Sequence, residues 1–417
     1  MNTGLGARLA PDTRHPARAR ASIDARLLRR LLIGMGDPPV EFRLWNGERV
    51  APAAGAPVAS VAIADRATLF ALLRDPQLRF GDGYTTGQLR IEGDLVQLML
   101  AIYRSGTVAG DGGFVSGRLA GWMHRPRRNS FSGSRDNIHH HYDLGNDFYR
   151  LWLGETMAYT CAYYPTAAAT LDEAQVAKMD HVCRKLRLRA GETVVEAGCG
   201  WGGLALHMAR RYGARVRAFN ISREQLEYAR AQAQRSGLEH LVEFVEDDYR
   251  NITGRYDVFA SVGMLEHVGR ENYAELGRIA RDCLAEHGRG LIHSIGRNRP
   301  EPLHPWIERR IFPGAYAPSL SEMMQIFEPW ELSVLDVENI RLHYALTLRH
   351  WLERYESVTD RIAAMFDDNF VRMWRLYLAG SIAAFETGAL QLFQVVFTAR
   401  DNNDLPLTRR FLYPNES

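Results

Sequence analysis

The chain has 417 residues, 46% of them apolar and 24% charged, which makes it a globular protein too long for one ordinary core. Its formal net charge of +2 argues against a nucleic-acid enzyme, and no motif suits a flipped base. No apolar run is long enough to span a membrane, no signal segment follows Met1, and Cys161, Cys183, Cys199 and Cys283 form no CxxC pair, so a cytoplasmic protein without disulfides or a metal site is expected.

In chain order, residues 1–20 read as a disordered arm, polar and without periodicity. Arg8, Arg14, Arg18 and Arg20 begin a basic cluster that continues through Arg26, Arg29 and Arg30. A small α/β domain is expected over 21–105. It has strands near 40–44 and 58–63, helices over 66–74 and 95–103, and a turn-rich stretch marked by Gly81, Gly83 and Gly87. Residues 106–135, rich in Gly, Arg and Ser, read as a linker. Arg118, Arg125, Arg127, Arg128 and Arg135 give it a second basic cluster. Charge alone leaves two equal readings of these clusters: a surface for anionic headgroups or nucleic acid, or a solvated arm in an arginine-rich chain.

A second domain is expected over 136–400, followed by a tail at 401–417. Thr170 with Glu173 makes a capping box for a helix reaching about residue 188. Strands at 193–197, 215–219, 242–245, 257–262 and 290–294 then alternate with helices, one of them capped by Ser222. Such alternation predicts a parallel sheet covered on both faces, with ligands at the carboxyl ends of its strands. Residues 300–390 read as mostly helical, with a capping box at Ser319 and Glu322 and a long amphipathic stretch over 342–366. A final strand is expected at 391–399.

Between the strand at 193–197 and the next helix lies Glu196-Ala197-Gly198-Cys199-Gly200-Trp201-Gly202-Gly203. Glycines there let a backbone approach a ligand where a Cβ would clash. No lysine follows them, so the loop is not a Walker phosphate cradle, and the spacing is not G-x-G-x-x-G. E-x-G-x-G-x-G at a strand end is the pattern of S-adenosylmethionine (SAM) methyltransferases, although a tight turn in any α/β domain has similar glycines.

Further segments carry a sharper likeness: His141-Tyr142-Asp143-Leu144-Gly145-Asn146, Tyr159-Thr160-Cys161-Ala162-Tyr163, Gly263-Met264-Leu265-Glu266-His267, His293-Ser294-Ile295-Gly296 and His343-Tyr344-Ala345-Leu346-Thr347. With these, residues 136–400 resemble the cyclopropane-fatty-acyl-phospholipid synthases and mycolic acid cyclopropane synthases. The resemblance implies an α/β fold: a Rossmann-like class I SAM methyltransferase sheet with a helical cover, preceded by a small α/β lipid-tethering domain. Phe80-Gly81-Asp82-Gly83-Tyr84 and Ile91-Glu92-Gly93-Asp94-Leu95 carry the weaker likeness of that first domain, and such regions bind bilayers or support a homodimer.

By the same resemblance, SAM is bound by Glu196, Gly198, Cys199, Gly200 and Gly202, with Tyr142, Tyr159 and Thr160 closing over it. Asn220 and Gln225 lie by the ribose, and Asp248 and Tyr249 by the adenine. Aromatic faces suit a sulfonium. Read alone, Tyr142 and Tyr159 would be core residues. Glu266, His293, Tyr344, Cys161 and the main chain at Ile295 are implied to cradle a bicarbonate ion. An alkene that attacks the SAM methyl leaves a carbocation, and a proton must then be lost for a ring to close. A weakly nucleophilic anion serves as general base without being alkylated. Some family members carry a late-helix cysteine, but the matching stretch here, Leu378-Ala379-Gly380-Ser381-Ile382-Ala383, has none.

The implied activity is addition of a methylene across the cis double bond of an unsaturated phospholipid acyl chain, at the inner face of the cell membrane. A related C-methylation giving a methyl- or methylene-branched lipid is the alternative; a lipid-binding module with a vestigial SAM site is a second. An apolar tunnel is expected to involve Phe312, Phe327, Trp351, Phe370 and Trp374, and Arg309 and Arg310 are expected to face lipid headgroups.

Overall fold

The computed structural model describes residues 21–106 and 144–413. The expectations placed on the arm at 1–20, on the arginines of 118–135 and on Tyr142 lie outside the described residues.

The first unit begins with α1 (Ile23–Gly34), capped by Ser22, whose side chain accepts from the Ala25 N–H. Strands β1 (Val40–Arg43), β2 (Arg49–Val50) and β3 (Ala59–Ile63) follow, then α2 (Arg66–Arg74), α3 (Pro76–Thr85), β4 (Leu89–Gly93) and α4 (Leu95–Arg104). The sheet runs β2-β1-β3-β4, with β1 and β3 parallel. The stretch around Gly81 and Gly83 is not a turn but the middle of α3. Asp75 caps that helix and Pro76 occupies its first position, two start signals strong enough to carry the glycines. The glycines are there for neighbours: a Cβ on Gly81 would stand 2.3 Å from Trp306 Nε1, and one on Gly83 would stand 2.9 Å from Leu89 Cγ.

The second unit opens with α5 (Asn146–Arg150) and α6 (Leu171–Lys185). The helix α6 starts at the capping box, with the Thr170 and Glu173 side chains bonded reciprocally to main chain. There follow β5 (Thr193–Ala197), α7 (Gly203–Tyr212), β6 (Arg215–Asn220), α8 (Arg223–Arg235), β7 (Val242–Glu246), β8 (Tyr256–Val262), α9 (Tyr273–Cys283) and β9 (Leu284–Gly296). The cover region holds α10 (Pro305–Arg310), α11 (Leu320–Met323), β10 (Leu332–Asn339), α12 (Arg341–Glu356), α13 (Thr359–Met365) and α14 (Asp368–Thr387) before the last strand, β11 (Gln391–Ala399).

The seven strands are ordered β10-β11-β9-β8-β5-β6-β7, and β11 alone runs antiparallel to its neighbours. Central strands such as β5 and β8 are buried along nearly their whole length, which is why they read as continuous apolar runs. Two expectations for the cover need correction. Residues 300–390 contain β10, an edge strand whose half-exposed pattern and acidic residues gave no apolar run. The stretch 342–366 is two helices, broken at Ser357 and Val358.

The two units pack through α14, which lies against α4 and α3. One apolar cluster joins Leu78, Tyr84, Val96 and Leu100 of the first unit to Phe148, Trp152 and Trp374 of the second. Trp306 sits on Gly81, and Arg372 Nε donates to the Thr85 carbonyl at 2.8 Å. The Arg310 guanidinium donates twice to Asp82, each bond 3.0 Å long. Arg310, expected to face headgroups, is thus committed to a contact between units. Among the described residues no helix is long and apolar enough to cross a membrane.

Candidate functional site

The carboxyl ends of β5, β6, β8 and β9 lie along one edge of the sheet. There the chain leaves β5 through Gly198, Gly200 and Gly202, all at positive φ (82°, 53° and 80°). A Cβ on Gly198 would press to 2.8 Å of Met264 Cβ, and one on Gly202 to 2.7 Å of the Phe244 ring. A Cβ on Gly200 would meet nothing within 4 Å, so this glycine borders open space. The N–H groups of Gly198 and Cys199 both donate to the Phe219 carbonyl, which locks the loop to β6. The Cys199 thiol is buried and bonds only locally, to the Gly200 carbonyl.

Glu196 is buried at the end of β5, and its Oε2 has no hydrogen-bond partner among the described residues. Burial pushes its carboxyl up to about 7, against the pull of Lys178. A buried carboxylate oxygen left open beside a glycine loop suits the ammonium of an amino-acid-bearing cofactor. On the neighbouring strand, Asn220 Nδ2 donates to the Gly200 carbonyl at 3.2 Å and to Gln225 Oε1 at 2.8 Å, so these two predicted residues are joined. Asp248 is turned inward: its carboxylate accepts from the Arg250 main chain at 2.9 Å and from the Arg250 guanidinium at 2.8 and 3.1 Å. Tyr249, beside it, is buried, and its hydroxyl has no hydrogen-bond partner among the described residues.

A strap of chain over 158–164 is tied to both α6 and α12. It is held from α6, where Gln175 Nε2 donates to the carbonyls of Ala158 and Thr160, and Lys178 Nζ donates to Thr160 Oγ1 at 2.9 Å. It is held from α12 by Thr347 Oγ1, which accepts from the Ala162 N–H, and by His343 Nδ1, which accepts from the Tyr164 N–H. Tyr159 lies among the rings of Tyr149, Trp152 and Trp351, and its hydroxyl meets that of Tyr377 at 2.9 Å. Cys161 is fully buried, and desolvation drives its thiol well above the ordinary range, so it is neutral and a poor nucleophile.

Three members of the predicted catalytic group, Glu266, His293 and Ile295, lie at the ends of β8 and β9. Glu266 Oε1 accepts the Ile295 N–H at 2.7 Å, which joins two of its members directly. The Ile295 donor is therefore already engaged by the chain. Glu266 Oε2 is buried with no hydrogen-bond partner among the described residues, and burial holds the carboxyl up at about 7. His293 is paired with Val262 across the strands, and burial keeps its imidazole neutral, pulled down to about 3. Gln394 Nε2 lies 3.1 Å from His293 Nδ1; with the amide assigned this way round it donates, and the His293 proton is then on Nε2. Tyr344 lies on α12, with its ring against Trp351 and Phe385.

Gln394, Lys178 and Gln175 are site residues that the sequence reading passed over. Each is fully or almost fully buried, and the available signal was a polar residue inside an otherwise apolar run or helix face. Of the rings expected along a tunnel, Phe312, Trp351, Phe370 and Trp374 share the cluster beneath the cover. Phe327 does not: it packs on Phe397, in a separate cluster with α9 and β11.

Comparison with known proteins identifies the family. The family model described as mycolic acid cyclopropane synthetase matches residues 130–395, and a model described as a domain of unknown function matches residues 27–109. A Pseudomonas putida protein named "Probable fatty acid methyltransferase" is 36% identical over 394 residues, 90% of this chain and 96% of its own length. A cyclopropane-fatty-acyl-phospholipid synthase of Escherichia coli is 38% identical over 270 residues, 64% of this chain and 69% of the other. Among solved structures, the cyclopropane synthase MmaA2 of Mycobacterium tuberculosis superposes with a TM-score of 0.62 at 25% identity, covering 64% of this chain and 99% of that one. The mycolic acid cyclopropane synthase CmaA1, solved with S-adenosylhomocysteine (SAH), gives 0.60 at 27% identity, covering 63% and 97%. The sheet is that of a class I SAM methyltransferase, and the chain belongs to the mycolic acid cyclopropane synthetase family of SAM-dependent lipid methyltransferases and cyclopropane synthases.

Proposed function

We propose that the protein is a cyclopropane-fatty-acyl-phospholipid synthase that adds a methylene from SAM across a cis double bond of a phospholipid acyl chain. The observation that carries this reading is Glu266. One of its oxygens is fixed by the Ile295 main chain, and the other is buried with no hydrogen-bond partner among the described residues, at the carboxyl ends of the strands that also carry His293. Glu196, Asn220, Gln225 and Tyr249 would hold SAM, which supplies an electrophilic methyl group when bound. Glu266, His293, Tyr344 and Cys161 would hold bicarbonate, a base of low nucleophilicity.

The chain's own part is placement and exclusion. A carboxylate of Glu266 accepts a hydrogen bond and orients an anion's hydroxyl. His293, with its proton on Nε2, donates a hydrogen bond without adding charge. The rings of Tyr149, Trp152, Tyr159 and Trp374 pack on one another in one apolar cluster, which would keep water from a reacting cation. The first unit is read as the lipid-tethering part, working at the membrane surface.

A second reading is C-methylation to a branched chain, favoured by the name of the Pseudomonas putida relative, whose likeness spans both units. Phospholipids from a bacterium lacking cyclopropanes, expressing this chain, decide between the two by mass spectrometry and NMR. A gain of one methylene per chain with upfield ring protons supports the synthase. The same gain with vinyl or branched-methyl signals supports the methyltransferase.

A further inference from the structure

The inward face of α6 carries four buried polar side chains: Gln175, Lys178, His181 and Lys185. Three of them lack no counter-charge: one is neutral and two share an anion. Gln175 donates to two strap carbonyls, while His181 and Lys185 share the Glu338 carboxylate, each at 2.7 Å. Lys178 is different. It is 2% exposed, its ammonium donates to the neutral hydroxyl of Thr160, and it forms no ion pair among the described residues. An ammonium has three donors, and a buried one ordinarily faces an anion.

The surroundings say where that anion would sit. Thr160 leans on the end of β8, so closely that a Cβ on Gly263 would lie 2.7 Å from Thr160 Cγ2. The next residue, Met264, touches Gly198 of the glycine loop. Lys178 and Thr160 therefore stand at the same loop as Glu196, whose Oε2 is open. Lys178 and Glu196 influence each other's protonation without being in contact as an ion pair, and Lys178 also acts on His293. Burial draws the Lys178 ammonium down to about 8, a value at which it is still mostly charged in neutral solution. A separated buried carboxylate and buried ammonium, flanking one loop, match the ammonium and carboxylate of an α-amino acid zwitterion.

We propose that Lys178 is a positioning cation which, through Thr160, holds a carboxylate-type anion against the strap at 158–164. This rests on the reading of the glycine loop and strand ends as the SAM site. Two sources of the anion share that chemistry: the cofactor's own carboxylate and the bicarbonate. Lys178 acts on the charge of the ligand and on the placement of Thr160, not on the reacting atoms.

The test is Lys178→Met in the full chain, with binding of SAM and of decarboxylated SAM measured by calorimetry and turnover measured against added bicarbonate. Met fills the same space, and replacing a buried charge by a well-packed apolar side chain is often neutral for stability. Loss of SAM affinity by about tenfold or more, with decarboxylated SAM unchanged, is the expected result and identifies the cofactor carboxylate. Unchanged SAM affinity with a raised bicarbonate requirement supports the proposal with bicarbonate as the anion. Equal loss for both cofactors, or no change in any of these, overturns it. If Lys178→Met does not fold, Thr160→Val removes the hydroxyl between cation and anion, and the same two outcomes decide. Failure of the wild-type chain to bind SAM at all would instead refute the assignment of the SAM site.

Discussion

Glu266 Oε1 accepts the main-chain N–H of Ile295 at 2.7 Å, so the turn after β8 is fastened to the last residues of β9. A glutamine keeps this bond, because its amide oxygen still accepts, but it loses the charge. Glu266→Gln is expected to lower turnover by about 10²–10⁴, the usual worth of a positioned acid–base group. SAH affinity should stay within about threefold, since the glycine loop is untouched. Parallel loss of SAH binding in calorimetry would move Glu266 into the cofactor site.

Glu196 stands at about 7 because burial disfavours its charge. Its folded value lies above the ordinary one, so the apo protein retains a proton there as pH rises from the normal carboxylate range, and stability drawn from the neutral form is lost toward and above pH 7. A bound ammonium favours the carboxylate and expels that proton. SAM binding at about pH 6.5 should therefore release a fraction of a proton, and affinity should rise with pH up to about 7. Calorimetry in buffers of different ionisation enthalpy reads the sign directly, and proton uptake contradicts the pairing.

His293 Nδ1 faces the Gln394 side-chain amide, 3.1 Å away on β11, and the assigned amide orientation puts the ring proton on Nε2. Gln394→Leu leaves a buried ring nitrogen without its donor, at a cost of about 1–3 kcal/mol. Turnover should fall by about tenfold or more because the ring is no longer held with its proton on Nε2. Gln394→Glu offers an acceptor instead and should draw the proton to Nδ1, shifting the acid limb of the pH–rate profile upward. Urea unfolding and a pH–rate profile together separate the two effects.

Contact between the two units is a matter of shape more than charge. Gly81→Val would drive a side chain into the Trp306 indole and should destabilise by about 1–3 kcal/mol. Asp82→Asn breaks only a surface pair with Arg310, whose side chain is 47% exposed, and should cost about 0–1 kcal/mol. Chemical denaturation of the two variants ranks them, and the reverse order would show the ion pair to be the stronger clamp.

The legible parts of this molecule were those where one residue type repeats or one spacing is forced. The strands at Thr193–Ala197 and Tyr256–Val262 are buried on both faces and so appear as apolar runs. Thr170 and Glu173 mark a helix start by a spacing that backbone geometry imposes. Pro76–Thr85 was misread because its glycines answer to Trp306 and Leu89, partners distant in sequence or invisible to local propensity. Leu332–Asn339 was missed because an edge strand owes its structure to hydrogen bonds with β11 and little to apolar content. Within the site, Glu196 and Glu266 stood out by motif. Gln394 and Lys178 did not, since what matters in each is a partner that only the fold supplies.

Lys178 and Lys185 are the only lysines in the sequence, and both point inward from α6, at 2% and 3% exposure. The folded exterior takes its positive charge from arginine alone among its side chains. An amine-directed reagent therefore finds no lysine to acylate while α6 stays seated, and labelling of either residue becomes a clock for the lifting of that helix from the strap and from Glu338. A chain so made carries its own reporter of that lifting, with no probe engineered in.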